Sequence, residues 1–169
     1  GNKDGVFEAV IRDCTGRVVA VMADLELSQM PLRAALIRFG ETLMTLLTTP
    51  ETIRYMRLFL SEVPRFPHLG KVFYESGLMT GRRIITSYFE RQMEEGKFPK
   101  NDPKQAAVFF TSLLKADYDF RQMTYVGWEP QAKDLHAHVI AAVDMFLRGY
   151  GIEPGNSHAD GSPIKPEFD

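Results

Sequence analysis

Hydrophobic residues recur at spacings of three and four along most of the chain, the period of helices with one buried face. The first such stretch runs from about Lys3 to Asp24. Its apolar positions are Val6, Phe7, Val10, Ile11, Cys14, Val18, Val21 and Met22. Apolar and polar residues rarely alternate, and Asp-Gly occurs only near the two chain ends, so no strand is expected. The pattern predicts an all-α fold.

Prolines and capping residues divide the rest of the pattern into helices. A second helix is expected from Pro31 to about Thr48. Thr49-Pro50 then reads as the N-cap and first residue of a third helix, which ends before Pro64.

Three further helices follow the same reasoning. The fourth runs from about His68 to Glu95 and should kink or break near Gly77–Gly81, because glycine weakens a helix interior. Asp102-Pro103 caps a fifth helix that extends to about Tyr125, and a sixth runs from about Pro130 to Arg148. The predicted inner face of the fifth helix is Val108, Phe109, Leu113, Ala116, Phe120 and Met123.

The composition changes after the sixth helix. Gly, Pro, Ser and Asp dominate residues 151–169, and Ile152, Ile164 and Phe168 do not follow a helical spacing. We expect a flexible tail, or a tail extended over a neighbouring surface.

Charge and composition narrow the function. The 169 residues carry a formal net charge of -2, whereas a domain that holds DNA by itself usually has a basic face. The single cysteine, Cys14, allows no intrachain disulfide, which fits a cytoplasmic location. No run of 18 uncharged apolar residues is present, so no membrane partner is expected.

Signatures of catalysis are missing. The sequence has no phosphate-binding glycine loop, no nucleophile elbow and no paired-cysteine metal motif. His136 and His138 are two residues apart, so on a helix they point to different faces. Cys14 lies on an apolar face, where a buried structural thiol is expected. The prediction is a protein that is not an enzyme and has no cofactor or metal site.

Aromatic residues and methionines are abundant, with 12 Phe, 6 Tyr and 8 Met. Most belong in the core of any helical bundle, but side chains of this kind also line small-molecule pockets between helices. Arg82-Arg83 follow the glycine pair and allow two interpretations, contact with an anionic ligand or a solvated helix face.

Two motifs resemble one family. Asn2-Lys3-Asp4 followed by Phe7 is similar to the junction after the recognition helix of TetR-family regulators. The stretch from Phe73-Tyr74-Glu75 to Gly96, followed by Asp102-Pro103-x-x-Ala106-Ala107-x-x-Phe110, resembles the C-terminal domain of AefR-like TetR members. The resemblance covers about Gly1 to Tyr150, and residues 151–169 have no counterpart in it.

The resemblance implies a domain order. Residues 1–24 would form the connecting helix after a helix-turn-helix domain that this chain lacks. Residues 25–150 would bind the effector and dimerise, and residues 151–169 would be the tail. Lys3 matches a position near the DNA backbone, so it is a candidate phosphate contact, although a solvated lysine fits equally well.

The resemblance also implies two sites. The last two long helices would pair with those of a second copy in a four-helix dimer interface, with candidates Phe110, Leu114, Leu135, Val139, Ala142, Val143 and Phe146. A small apolar or amphipathic effector would occupy a pocket among the middle helices, with candidates Met44, Tyr55, Phe59, Phe73, Tyr74, Met79, Arg83, Tyr88, Phe109 and Phe120.

The function implied is a ligand-responsive transcriptional regulator, and repression is the commoner role in the family. Its partners would be a second copy, the effector, and operator DNA bound through the helix-turn-helix domain. Two alternatives stay open: a stand-alone small-molecule carrier, and a dimerisation module that does not bind DNA. A stable dimer in sedimentation would argue against the carrier.

Overall fold

The computed structural model describes the backbone of residues 3–156 and the side chains of residues 5–155. Within this part the chain is helical and contains no strand, which confirms the predicted all-α fold. The helices are α1 (Lys3–Ala23), α2 (Leu32–Leu47), α3 (Pro50–Glu62), α4 (His68–Phe73), α5 (Met79–Glu94), α6 (Pro103–Lys115), α7 (Tyr118–Thr124) and α8 (Ala132–Gly149). A π-helical turn, Tyr74–Leu78, joins α4 to α5, and 3-10 turns occupy Leu27–Gln29 and Pro154–Asn156.

Several helix boundaries are set by the local chemistry that the sequence predicts. The side chain of Thr49 accepts a hydrogen bond from the Thr52 amide at 3.1 Å, and Asp102 accepts one from the Lys104 amide at 2.9 Å. Each bond satisfies an amide that the first turn of a helix leaves unpaired. Gly96 has φ +71°, the left-handed conformation that ends a helix after its last turn.

The predicted continuous fifth helix is wrong. The chain turns at Ala116, which has φ +37°, so α6 ends at Lys115 and α7 starts at Tyr118. Two members of its predicted inner face, Phe109 and Phe120, are 52% and 70% exposed. The buried face of α6 is instead Ala106, Ala107, Phe110, Thr111 and Leu114. Both sets have helical spacing, and neighbouring residues differ by about 100° around a helix, so periodicity could not choose between them.

The irregularity predicted in the fourth helix exists, but it lies earlier and does not break the helix. The π turn begins at Tyr74 and ends at Leu78, and α5 continues directly from Met79. The Thr80 hydroxyl donates to the Glu75 carbonyl, five residues back, at 2.9 Å. A π turn inserts one extra residue into a helix and so shifts the faces before and after it.

The main core lies where α2, α5, α6 and α8 meet. Five phenylalanines fill it, each at most 2% exposed: Phe39, Phe89, Phe98, Phe110 and Phe146. Ring centroids lie 5.1 Å apart for Phe110 and Phe146, and 5.1 Å apart for Phe89 and Phe98. Arg33 of α2 and Asp144 of α8 add a partly buried ion pair at 2.8 Å. We refer to these four helices as the aromatic half.

The candidate interface residues of the last two long helices belong to this core. Their exposed fraction is at most 8%, for Phe110, Leu114, Leu135, Val139, Ala142, Val143 and Phe146. They hold α6 and α8 against α2 and α5 of the same chain and are buried there without a second copy. The apolar faces of α6 and α8 are turned toward the chain's own core because their burial there removes apolar surface from water.

The predicted tail begins in a packed conformation. The Ile152 amide donates to the Leu147 carbonyl at 2.9 Å, and the Ile152 side chain packs against the main core. Of the two alternatives for the tail, this packing of Ile152 fits a chain extended over a neighbouring surface. Residues 157–169 lie outside the described part of the chain, as does the side chain of Lys3, the candidate DNA contact.

Candidate functional site

A cavity of about 340 Å³ has α1 as one of its walls and lies within the usual size range of small-molecule sites. Its walls are formed by α1, α2, α3, the end of α4 with the π turn, the start of α5 and the end of α6. Most of the lining is apolar, including Val18, Met22, Phe39, Leu43, Leu46, Leu47, Met56, Phe73 and Leu78. We refer to α1, α3, α4 and the π turn as the cavity half.

Two glycines shape opposite features of the wall. A Cβ on Gly81 would meet nothing within 4 Å, although Gly81 lies four and seven residues before the buried Ile85 and Tyr88 on the inward face of α5. Its missing side chain therefore leaves space in the cavity. A Cβ on Gly77 would lie 2.7 Å from Cγ2 of Thr15, so Gly77 instead permits α1 to pack closely on the π turn.

Hydroxyl groups reinforce the contact between α1 and the π turn. Oγ1 of Thr15 lies 3.1 Å from Oγ of Ser76, within hydrogen-bonding distance. Each hydroxyl also bonds a carbonyl of its own helix, Thr15 to Ile11 at 2.8 Å and Ser76 to Val72 at 2.7 Å. The cavity wall and the long first helix are thus directly linked.

Two buried polar atoms in the lining have no hydrogen-bond partner among the described residues: the Tyr55 hydroxyl and Nε of Arg82. Burial, with a smaller contribution from the nearby Cys14, raises the pKa of Tyr55 above its usual range. The Tyr55 hydroxyl therefore stays protonated and able to donate. A buried donor without a partner costs about 1–3 kcal/mol, so both groups favour a molecule that accepts hydrogen bonds.

The charged groups of the lining differ in how they are neutralised. The Arg17 guanidinium lies 3.0 Å from Oδ2 of Asp13 and 3.7 Å from Oε1 of Glu51. Nζ of Lys115 lies 3.0 Å from Oδ2 of Asp119. Arg82 forms no ion pair within the described part of the chain. It is consequently the one charged lining residue there whose charge is not balanced by a neighbour.

The structure separates the pocket candidates into four groups. Tyr55 and Phe73 line the cavity, whereas Met44 and Tyr88 lie in the main core. Phe59 packs in a second, smaller core with Ile11 and Leu69. The remaining candidates are exposed and do not line the cavity: Tyr74, Met79, Arg83, Phe109 and Phe120.

Sequence analysis named Arg82 and Arg83 together as possible contacts with an anionic ligand, but it placed only Arg83 among the pocket candidates and included no residue of α1. Arg82 lies three and seven residues before the buried Ile85 and Phe89, so it shares the face of α5 that the structure turns inward. Arg83 falls on the same side as the exposed Glu90, seven residues later. The α1 lining residues were assigned only to a connecting helix, although they include Cys14, Thr15, Val18 and Met22.

A second feature is an apolar outer surface on α6, α7 and α8. Its large exposed residues are Phe109, Phe120, Tyr125, Val126 and Met145. A shallow groove between α6 and α8 is lined by Phe109, Leu113 and Met145 among others. Exposed apolar groups that share one groove, as Phe109 and Met145 do, are typical of surfaces that contact another protein.

The described residues contain neither a metal-binding cluster nor a membrane-spanning helix. No group of three or more His, Cys, Asp or Glu side chains is arranged to hold a metal ion. None of the helices over residues 3–156 is long and apolar enough to cross a membrane.

Comparisons with known proteins agree with this architecture. A family model described as "AefR-like transcriptional repressor, C-terminal domain" matches residues 34–152. A search of curated proteins found no match.

Two solved structures share the fold. A TetR-family transcriptional regulator from Mesorhizobium loti MAFF303099 is 22% identical, with a TM-score of 0.71 over 86% of this chain and 70% of that chain. The flavonoid-responsive regulator FrrA is also 22% identical, with a TM-score of 0.74 over 88% of this chain and 74% of that chain. Because the family model spans more than half of the sequence, this chain belongs to the TetR family of transcriptional regulators and carries its AefR-like C-terminal domain.

Proposed function

We propose that the cavity between α1 and the rest of the chain is the effector site of a ligand-responsive transcriptional repressor that has no enzymatic activity. The observation that carries this proposal is an apolar cavity of about 340 Å³ that contains two buried donors without partners. Ligand sites combine these features, a mostly apolar lining and a few polar groups that orient the ligand. Tyr55 and Phe73 are the pocket candidates that keep this role.

TetR-family regulators act as homodimers that bind small-molecule effectors and operator DNA. For this chain we propose that the dimer forms through the apolar outer surface of α6, α7 and α8. Phe109 and Met145 lie there and are exposed, whereas the buried faces of the same helices are already occupied. Arg57 of α3 donates to the carbonyls of Gln122 at 2.6 Å and Tyr125 at 3.3 Å, which ties a cavity wall to this surface.

Control of DNA binding would run through α1, the connecting helix. We assign DNA binding to a helix-turn-helix domain, as in the family, and the cytoplasm as the location because operator DNA is there. An effector that binds better to one position of α1 shifts the population toward it, by no more than its difference in affinity for the two positions. A ligand that displaces the π turn would move α1 through the contact of Thr15 with Ser76 and Gly77.

Ligand binding tests the effector site. The 169-residue chain is titrated with apolar fluorescent dyes and with flavonoids, the latter because FrrA is described as flavonoid-responsive. We expect saturable binding that the substitution Gly81→Phe abolishes, because the new ring enters the cavity. Unchanged binding to the Gly81→Phe variant would place the dye elsewhere and overturn the proposed site.

Sedimentation tests the dimer and separates the regulator from a stand-alone carrier. We expect the unmodified chain to sediment as a dimer and Phe109→Asp to sediment as a monomer, because a buried unpaired charge is costly at an interface. Glu90→Asp, on the exposed side of α5, serves as the matched control and should stay dimeric. A monomeric unmodified chain would favour the carrier.

A further inference from the structure

We propose that the effector is an organic anion, an apolar molecule with one acidic group that pairs with Arg82 and accepts a hydrogen bond from Tyr55. This inference rests on the proposed effector site and adds the chemical class of the ligand. Both residues line the cavity, Tyr55 from α3 and Arg82 from the first turn of α5. The ligand would thus bridge the α3 wall and the α5 wall, because neither the Tyr55 hydroxyl nor Nε of Arg82 has a hydrogen-bond partner among the described residues.

The remaining lining hydroxyls are already engaged. Thr111 donates to the Ala107 carbonyl at 2.8 Å, as Thr15 does to Ile11. Thr52 accepts from the Thr49 hydroxyl at 2.8 Å. Both unpartnered groups can donate: the Arg82 guanidinium is a donor only, and the protonated Tyr55 phenol has a hydrogen to give as well as an oxygen that can accept. Such a site selects a ligand with acceptor oxygens.

The charge of Arg82 selects an anion among such acceptors. The other charged residues of the lining have ion-pair partners, so the cavity carries one unbalanced positive charge within the described residues. Hydrogen bonds between ionised groups are about twice as strong as neutral ones, and a planar guanidinium matches the two oxygens of a carboxylate. In a mostly apolar cavity, with little water to compete, a neutral acceptor would leave this charge unpaired.

The test compares two dyes that share one ring system. 8-Anilinonaphthalene-1-sulfonate carries an anionic group, whereas N-phenyl-1-naphthylamine is neutral and otherwise nearly the same size. Fluorescence titrations give both dissociation constants for the unmodified chain and for Arg82→Gln. We expect Arg82→Gln to weaken the anionic dye about tenfold or more and to change the neutral dye less than about threefold.

Three controls make the result specific. Arg83→Gln removes an equal charge from the neighbouring exposed position and should leave both dyes unchanged. Arg82→Lys keeps the charge and should retain part of the preference for the anion. Tyr55→Phe should weaken the anionic dye by a smaller factor than Arg82→Gln, because it removes a neutral donor.

A second comparison uses only the unmodified chain, in case Arg82→Gln does not fold. Naphthalene-1-acetate and the neutral naphthalene-1-acetamide each displace bound N-phenyl-1-naphthylamine. We expect the carboxylate to do so at about one tenth of the concentration of the amide. Equal potency of the two, or unchanged sulfonate binding to a folded Arg82→Gln variant, would overturn the proposal.

The failures of the two proposals are distinguishable. If both dyes bind the Gly81→Phe variant as tightly as the unmodified chain, the cavity is not the binding site and the proposed function fails with it. If Gly81→Phe removes both dyes but Arg82→Gln changes neither, the effector site stands and the anionic class is wrong.

Discussion

The aromatic half and the cavity half of the protein are built from similar residues but packed in opposite ways. In the aromatic half the ring of Phe110 contacts those of Phe39 and Phe146, and all three are at most 2% exposed. In the cavity half Tyr55 and Phe73 border empty space and are only partly buried. Close packing resists deformation, whereas a wall beside a cavity can adjust to a ligand.

The difference fits the two tasks that we propose for the halves. The proposed dimer surface on α6 and α8 requires helices whose positions do not depend on the ligand, and the close packing of the aromatic half meets that requirement. The proposed ligand site, which would move α1, requires a wall that is less tightly packed. The π turn and the open space beside Gly81 provide such a wall. The predictions below test this contrast with paired substitutions.

The largest expected difference comes from removing one ring in each half. Phe110→Ala should lower the free energy of unfolding by about 3–5 kcal/mol, because it leaves a cavity in close-packed surroundings. Phe73→Ala should lower it by about 1–2 kcal/mol, since its ring packs on Phe59 at 4.7 Å on one side and borders the cavity on the other. Urea unfolding at a fixed protein concentration measures both, and equal losses would contradict the contrast.

Adding a methyl group should have opposite signs in the two halves. A Cβ on Gly40 would lie 2.8 Å from Cδ2 of Leu114 and 2.8 Å from Cγ1 of Val139, so Gly40→Ala should cost about 1–3 kcal/mol. Gly81→Ala meets open space and should stabilise by up to about 1 kcal/mol through helix propensity. Thermal unfolding of the two variants gives the signs directly, and a stabilising Gly40→Ala would show that α2 can move away from α6 and α8.

The contact between α1 and the π turn should show measurable coupling. Gly77→Ala is expected to destabilise by about 1 kcal/mol, because its Cβ would lie 2.7 Å from Cγ2 of Thr15. Thr15→Ser removes that methyl group and keeps the hydroxyl, so the double variant should recover about 0.5 kcal/mol or more. Strictly additive effects in this double-mutant cycle would mean that the two elements are not in contact.

The smallest effects at neutral pH are expected from removing the unpartnered hydroxyls of Tyr88 in the aromatic half and Tyr55 in the cavity half. Either change to Phe should alter the free energy of unfolding by no more than about 0.5 kcal/mol. Only Tyr55→Phe should weaken binding of the anionic dye. A similar loss with Tyr88→Phe would indicate that the ligand reaches the main core.

Alkaline pH should reveal Tyr88. Burial raises its pKa to about 12, above the value of about 10 for an exposed tyrosine. As the pH rises, the unfolded chain loses this proton before the folded chain does. The contribution of Tyr88 to the free energy of unfolding is therefore complete below about pH 10 and is lost as the pH rises to about 12. Unfolding of Tyr88→Phe should therefore depend less on pH in that window, and parallel curves for the two proteins would contradict the burial of this hydroxyl.

The sequence by itself determined the helical class and most helix ends, because these depend on local chemistry. Thr49-Pro50, Asp102-Pro103 and Gly96 act through the hydrogen bonds and backbone angles of their own turns. The family resemblance also rested on such local motifs, and the match over residues 34–152 confirmed it.

Only the tertiary structure decided which apolar face of a helix is buried and which polar residue enters the cavity. Phe109 and Phe110 are adjacent and equally apolar, yet one is exposed and the other is in the core. Arg82 and Arg83 are adjacent and equally charged, yet only Arg82 lines the cavity. The choice depends on how α5 and α6 are rotated against α1, α2 and α8, which is set by the packing of distant side chains and is not encoded in the spacing of residues along one helix.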